Sequence, residues 1–180
     1  MKQLFNRILG WRKANLPAGQ VYNPLIETGF LLKELAEVND KFIAGNTDKA
    51  VGEICDFIVY AVGALELINW LCELFEVNVE RTVIENFDNK HCIRLLSNSV
   101  FALINIAARK DLNTFFLHKK YLVLIGCCFD CIQSLGYSPE LALEETVKKI
   151  ESREGYYDYS IGKFVKTVTK YEPDYSLAKI

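Results

Sequence analysis

Proline is scarce in this chain of 180 residues. Only four occur, at positions 17, 24, 139 and 173, and none interrupts a long apolar stretch. Proline removes a backbone donor and breaks helix interiors, so this placement leaves room for uninterrupted helices from about Asn23 to Gly136. Long hydrophobic runs are missing as well. The most apolar stretches, Phe57 to Leu65, Val100 to Ala108 and Tyr121 to Phe129, are nine residues each, about half of a membrane span. Met1 to Gly10 carries Lys2 and Arg7 but no apolar run of signal-peptide length. A cytoplasmic chain with no membrane partner is expected. Charge of one sign is also lacking: 21 basic against 23 acidic side chains give a net charge of -2. No molecule-wide field therefore attracts nucleic acid or an anionic membrane, and any phosphate binding must be local. Histidine is limited to His91 and His118. Each stands near a predicted helix start with no Cys or Asp at catalytic spacing, and both read as solvated or capping. Neither follows a Glu at the Glu-x-x-His spacing that di-iron bundles need. Cysteines at 55, 72, 92, 127, 128 and 131 lie in apolar helical context. Cys128-x-x-Cys131 has no second pair at zinc-site spacing, so buried free thiols are expected.

The local signals describe an all-α bundle of about five helices in a single domain. Asn23-Pro24 is an N-cap followed by proline at the first helical position, and Gly45-Asn46 stops that helix near Ala44. Thr47 and Asp48 are read as the cap of a second helix, extended to about Phe75. A third helix occupies roughly Lys90 to Arg109 and a fourth roughly Thr114 to Leu135, ended by Gly136. Ser138-Pro139-Glu140 opens a fifth, running to about Arg153. No segment shows sustained period-two alternation, so strands are not expected. Beyond Glu154 the sequence Gly155-Tyr156-Tyr157-Asp158-Tyr159 reads as an extended tail laid over the bundle.

Two acidic pairs on neighbouring helices, Glu34-x-x-Glu37 and Glu53-x-x-Asp56, carry the chemistry. Residues three apart on a helix project from nearly the same side, so each pair offers two carboxylates to one point. The helix bearing the second pair is apolar all round, which marks it as buried. Buried carboxylates must meet cations or take up protons. No Lys or Arg lies between Val51 and Glu80, and hard divalent ions with oxygen ligands answer that need. On α-helical geometry the first pair borders its helix's apolar stripe, as expected at a seam between helices. Asn98, Asn105 and Asp130 lie on apolar helices, either as base or sugar contacts or as internally bonded polar groups.

Lys33-Glu34-Leu35-Ala36-Glu37, fifteen intervening residues, then Glu53-Ile54-Cys55-Asp56 resembles the Glu-x-x-Glu and Glu-x-x-Asp signature of the all-α nucleoside triphosphate pyrophosphohydrolases, the MazG-like enzymes and dimeric dUTPases. Many members have a further Glu before the first carboxylate, where this chain has Lys33. Leu135-Gly136-Tyr137-Ser138-Pro139-Glu140, leading to Lys148, Lys149 and Arg153, is similar to a later helix of MazG-like proteins. The stretch from Gly162 to Asp174 is similar to the closing segment of some phage and bacterial members; the expected compartment is the cytoplasm, that of a host if the chain is phage-encoded. The match covers roughly Asn23 to Leu65 and Leu135 to Asp174, a core of 23–75 and 135–174 with extra helices over 90–134. The resemblance implies cleavage between the α and β phosphates of a (deoxy)nucleoside triphosphate, to a monophosphate and pyrophosphate. It implies Glu34, Glu37, Glu53 and Asp56 as ligands of Mg2+, or of Mn2+ in its place, with more than one ion per site. Glu34 or Glu37 would orient the water, and Lys148, Lys149, Arg153, Lys163 and Lys166 would bind the triphosphate. A homodimer or homotetramer is implied too. The competing expectation is a non-catalytic helical interaction protein that retains the fold.

Overall fold

The computed structural model describes residues 1–21, 23–68, 87–109, 114–160 and 163–180, with the backbone alone at 24, 25 and 163. Six helices are described: α1 (Lys2–Asn15), α2 (Pro24–Ile43), α3 (Thr47–Leu67), α4 (Asn89–Ala107), α5 (Thr114–Ser134) and α6 (Pro139–Glu151). They are followed by a hairpin of β1 (Arg153–Asp158) and β2 (Lys163–Thr169), and by a 3-10 turn at Tyr175–Ala178. The chain is thus mostly helical, and no described helix is long and apolar enough to cross a membrane.

Helix stops follow the glycines. Gly45 and Gly136 have φ of 70° and 87°, a left-handed conformation that costs glycine little. At each, paired bonds close a Schellman end: Asn46 N–H to Lys41 O at 2.9 Å and Gly45 N–H to Phe42 O at 3.0 Å, then Tyr137 N–H to Ile132 O at 3.1 Å and Gly136 N–H to Gln133 O at 3.0 Å. The α3 cap differs from the sequence expectation. Asn46, rather than Thr47 or Asp48, accepts the Lys49 N–H at 3.0 Å, because the tight turn after Gly45 brings its side chain to the first free amides. Asp48 instead takes Lys179 at 2.9 Å and the Tyr137 hydroxyl. The expected extension of this helix to Phe75 lies outside the described residues.

α3 is the axis of the bundle. It packs on α1, α2, α5, α6 and the 3-10 turn, and Ile54, Phe57, Ile58, Ala61, Val62 and Leu65 are all fully buried. Its apolar residues at every angle are explained by neighbours at every angle. Cys55, Cys92, Cys128 and Cys131 are buried thiols outside any disulfide, the half-buried Cys127 accepts the Ser99 hydroxyl at 3.3 Å, and burial pushes the Cys55 thiol up to about 12. His91 lies exposed against its helix cap Asp88 at 2.7 Å. His118, by contrast, is fully buried against Phe115, which corrects its expected solvation.

Two parts differ from the five-helix expectation. The first is α1, whose Leu4, Phe5 and Ile8 are buried. Arg7 ties it to α6 through Glu144 at 2.8 Å and Glu151 at 2.6 Å, and Arg12 ties it to α3 through Glu66 at 3.0 Å. The second is the hairpin, where an extended tail without strands was expected. β-Branched Val165, Thr167, Val168 and Thr169 and the tyrosines of β1 suit a pleated ribbon, and the pairing is antiparallel with a bulge between Glu154 and Gly155. A Cβ at Gly155 would stand 2.1 Å from the Val165 carbonyl oxygen, so the close approach of the strands requires glycine there. After the hairpin the chain does lie over the bundle. Glu145 accepts the Tyr171 hydroxyl and the Asp174 N–H, Tyr175 bonds Thr146 at 2.9 Å, and Ser138 N–H bonds Ala178 O at 2.7 Å.

Candidate metal centre and adjoining cleft

α2 and α3 run antiparallel, joined by the short Gly45 turn, and this connection sets the two acidic pairs side by side. Ligand oxygens of Glu34, Glu37 and Glu53 lie within 4.8 Å of one another. Glu34 is 3% exposed, and its Oε2 is buried with no hydrogen-bond partner. Such an oxygen costs on the order of a few kcal/mol unless it is protonated or meets a cation. Burial is the main reason that the Glu34 carboxyl is pushed up to about 7, with the charge of Asp56 adding to it and Lys33 opposing it. Burial, then Asp56, likewise lifts Glu53 above its ordinary value.

Asp56 stands one turn along from Glu53 but bonds Lys149 at 3.1 Å. The structure therefore brings three of the four expected ligands together and holds the fourth beside them on a lysine. The compensating charges that the sequence around α3 lacks come from elsewhere. Lys149 reaches in from α6, and Lys33, the residue preceding the first motif carboxylate, contacts Glu34 at 3.2 Å and Glu37 at 2.5 Å. Burial works against the Lys33 ammonium, yet its bond to Glu37 and the charge of Glu34 outweigh this and hold it above its ordinary value. The donor set, hard carboxylate oxygens with one unpartnered and buried, fits Mg2+ or Mn2+.

From this cluster a cleft of about 600 Å3 extends between α1, α2, α3 and the hairpin. Next to the carboxylates, Phe30 and Tyr60 stack at 5.2 Å with an 18° interplanar angle. Farther along, Glu27 faces Arg12, and Trp11 meets Phe164 edge-on at 5.2 Å. Burial lifts the Glu27 carboxyl above its ordinary value while the Arg12 charge opposes this.

The expected phosphate-binding residues divide. Lys149, Arg153 and Lys166 line the cleft, and Arg153 Nε is buried without a hydrogen-bond partner. Lys148 does not line it: its ammonium meets Glu145 at 2.8 Å and sits 5.9 Å from the centre of the Tyr171 ring. The Lys163 side chain lies outside the described residues. Asn98, Asn105 and Asp130 are not among the cleft's residues. Sequence reasoning missed Lys33 as a cation within the cluster, and it missed Arg12, Glu27, Phe30 and Tyr60. A signal existed for some of these, because Glu27, Phe30, Glu34 and Glu37 fall on one face of α2, and Glu53, Asp56 and Tyr60 on one face of α3. Arg12 could not be placed without α1. Comparison of the chain with protein-family models, with curated proteins and with solved structures gave no match.

Proposed function

We propose that the protein is a Mg2+-dependent (deoxy)nucleoside triphosphate pyrophosphohydrolase. The observation that carries this reading is the buried, unpartnered Glu34 oxygen within a trio of carboxylates, at one end of a cleft lined by aromatic and basic side chains. Glu34, Glu37 and Glu53 would hold the divalent ions, with Asp56 joining them when Lys149 is drawn to substrate. When bound, such ions neutralise the phosphate oxygens and acidify the attacking water. Water oxygen adds to the α-phosphorus, the bond to the β-phosphate oxygen breaks, and a nucleoside monophosphate and pyrophosphate leave. Glu37, the more exposed of the first pair, is suited to orient that water and take its proton. Arg153, Lys149 and Lys166 supply positive charge to the triphosphate, and Phe30 and Tyr60 offer aromatic surface to the nucleoside. Exposed Phe101, Phe115, Phe116 and Val123 on α4 and α5 suit the burial that a homodimer or homotetramer would provide.

The test is pyrophosphate release from a panel of ribo- and deoxyribonucleoside triphosphates with Mg2+. Release from at least one, abolished by Glu53→Gln, is expected. A specific observation favours the alternative, a non-catalytic helical interaction protein: the Lys33 ammonium already contacts both Glu34 and Glu37 and offsets part of their charge. That alternative predicts no release from any triphosphate.

A further inference from the structure

The end of the cleft away from the carboxylates has its own chemistry. On α2 the residues lining the cleft include the row Glu27, Phe30, Glu34 and Glu37, flanked by Ile26 and Lys33, and on antiparallel α3 they include the row Glu53, Asp56 and Tyr60, beside Val59 and Leu67. The Phe30 and Tyr60 stack fixes the register of these two rows. Three tiers result: carboxylates, then an aromatic pair, then Glu27 with Arg12. Glu27 and Glu34 are seven residues apart, a rise of about 10 Å, which is comparable with the length of a nucleoside.

The third tier is built around a fixed guanidinium. Arg12 is 13% exposed and its Nε is held by Glu66 at 3.0 Å. It lies flat on α3 at Gly63, where a Cβ would stand 2.4 Å from Arg12 Cζ. One N–H of the guanidinium is engaged by Glu66, and the group has four more donors. Trp11 Nε1, in the same cleft, is buried without a hydrogen-bond partner, and a buried indole N–H ordinarily has one. Donors therefore stand beside a carboxylate, in a partly closed site, next to aromatic rings.

We propose that this tier is a nucleobase subsite selective for guanine, with Glu27 accepting from N1–H and the exocyclic amine and Arg12 donating to O6. The inference rests on the nucleotide-binding reading above and adds the base. An ionised carboxylate only accepts and a guanidinium only donates. Guanine presents one acceptor followed by two adjacent donors along its pairing edge, which this pair complements. Adenine and cytosine place a ring-nitrogen acceptor where the second carboxylate oxygen stands. Uracil and thymine have one N–H flanked by two carbonyls, so a carbonyl meets the carboxylate. In each mismatch polar groups are left unpaired in the site, which is the costly outcome.

The experiment is equilibrium binding of dGMP, dAMP, dCMP and dTMP to the full chain by calorimetry with Mg2+ present. Monophosphates have no α–β bond, so the result is independent of turnover. The expected result is that dGMP binds at least about tenfold more tightly than the other three. Glu27→Gln should bring all four within about threefold while Mn2+ binding at the carboxylates is unchanged, and Glu27→Asp should retain part of the preference. Gly63→Ala, which displaces the Arg12 guanidinium, should also weaken dGMP selectively. Equal binding of the four bases, preference for another base, a dGMP preference that survives Glu27→Gln, or binding of none of them by a chain that still binds Mn2+ would overturn the assignment. Failure of the hydrolase reading looks different: no triphosphate is cleaved while the dGMP preference stands.

Discussion

Glu34 and Lys33 hold opposite charges in one small volume, and their balance decides how the site behaves. A lysine ammonium bound to two carboxylates competes directly with a divalent ion for the same oxygens. Lys33→Met is therefore expected to tighten Mg2+ binding several-fold by calorimetry. The same change should destabilise the metal-free protein by about 1 kcal/mol, since Lys33 is half exposed while its partner is buried. Unchanged Mg2+ affinity would show that Lys33 does not share the ligands' oxygens. Glu34 sets a pH dependence whose sign follows from its raised value. Its carboxyl titrates near 4.5 when unfolded and at about 7 in the fold, so between these values the native state binds more protons. Stability of the metal-free protein must then fall as pH rises from 4.5 towards 7, by up to about 3 kcal/mol if the whole shift is realised. Glu34→Gln should flatten that fall in denaturant melts. Saturating Mg2+ should reverse it, because the ion binds the deprotonated site.

At the scale of elements, the helices α2 to α6 were legible because α2, α3, α4 and α6 begin with a cap or an N-terminal proline and two of the helices end at left-handed glycines. Their bounds differ from the sequence reading by a few residues wherever both are described. α1 was not legible: Leu4, Phe5, Ile8 and Trp11 lie along one face, but their burial depends on surfaces of α3 and α6 that no local pattern reveals. The hairpin escaped for a related reason. Apart from residues such as Tyr157, Phe164 and Val165 at the cleft, much of it is solvent-exposed, so no period-two alternation marks it. Of the site, the two acidic pairs were readable from helical spacing. Lys33 and Lys149 as their counter-charges were not, because a cation's target depends on rotamers and on helices distant in sequence. One prediction belongs to the packing of α3 against the closing segment. At Gly52 an added Cβ would stand 2.4 Å from the buried Tyr175 ring. Gly52→Ala gains up to about 1 kcal/mol in helix propensity, but overpacking costs about 1–3 kcal/mol, and expelling the ring also breaks its bond to Thr146. Net destabilisation is expected in thermal melts, with faster proteolysis after Tyr171. A more stable variant would show that the ring yields without cost.

Across the whole molecule charge is nearly balanced, at -2 overall, and among the described residues carboxylates converge tightly at the α2–α3 seam. Glu34, Glu37, Glu53 and Asp56 gather on two antiparallel helices, while Lys149 and Arg153 approach from the far end of the chain. This architecture brings residues from both ends of the sequence to one cleft, with α3 as the buried support that fixes their spacing. The central claim is that the carboxylate trio is a divalent-cation site. It is tested most directly by titrating Mn2+ into the protein while following the free-ion electron paramagnetic resonance signal. The account predicts that wild-type protein removes the free signal saturably, that Mg2+ competes, and that Glu34→Gln and Glu53→Gln each weaken binding at least about tenfold. A free-ion signal that tracks added Mn2+ equally with and without the protein would contradict it.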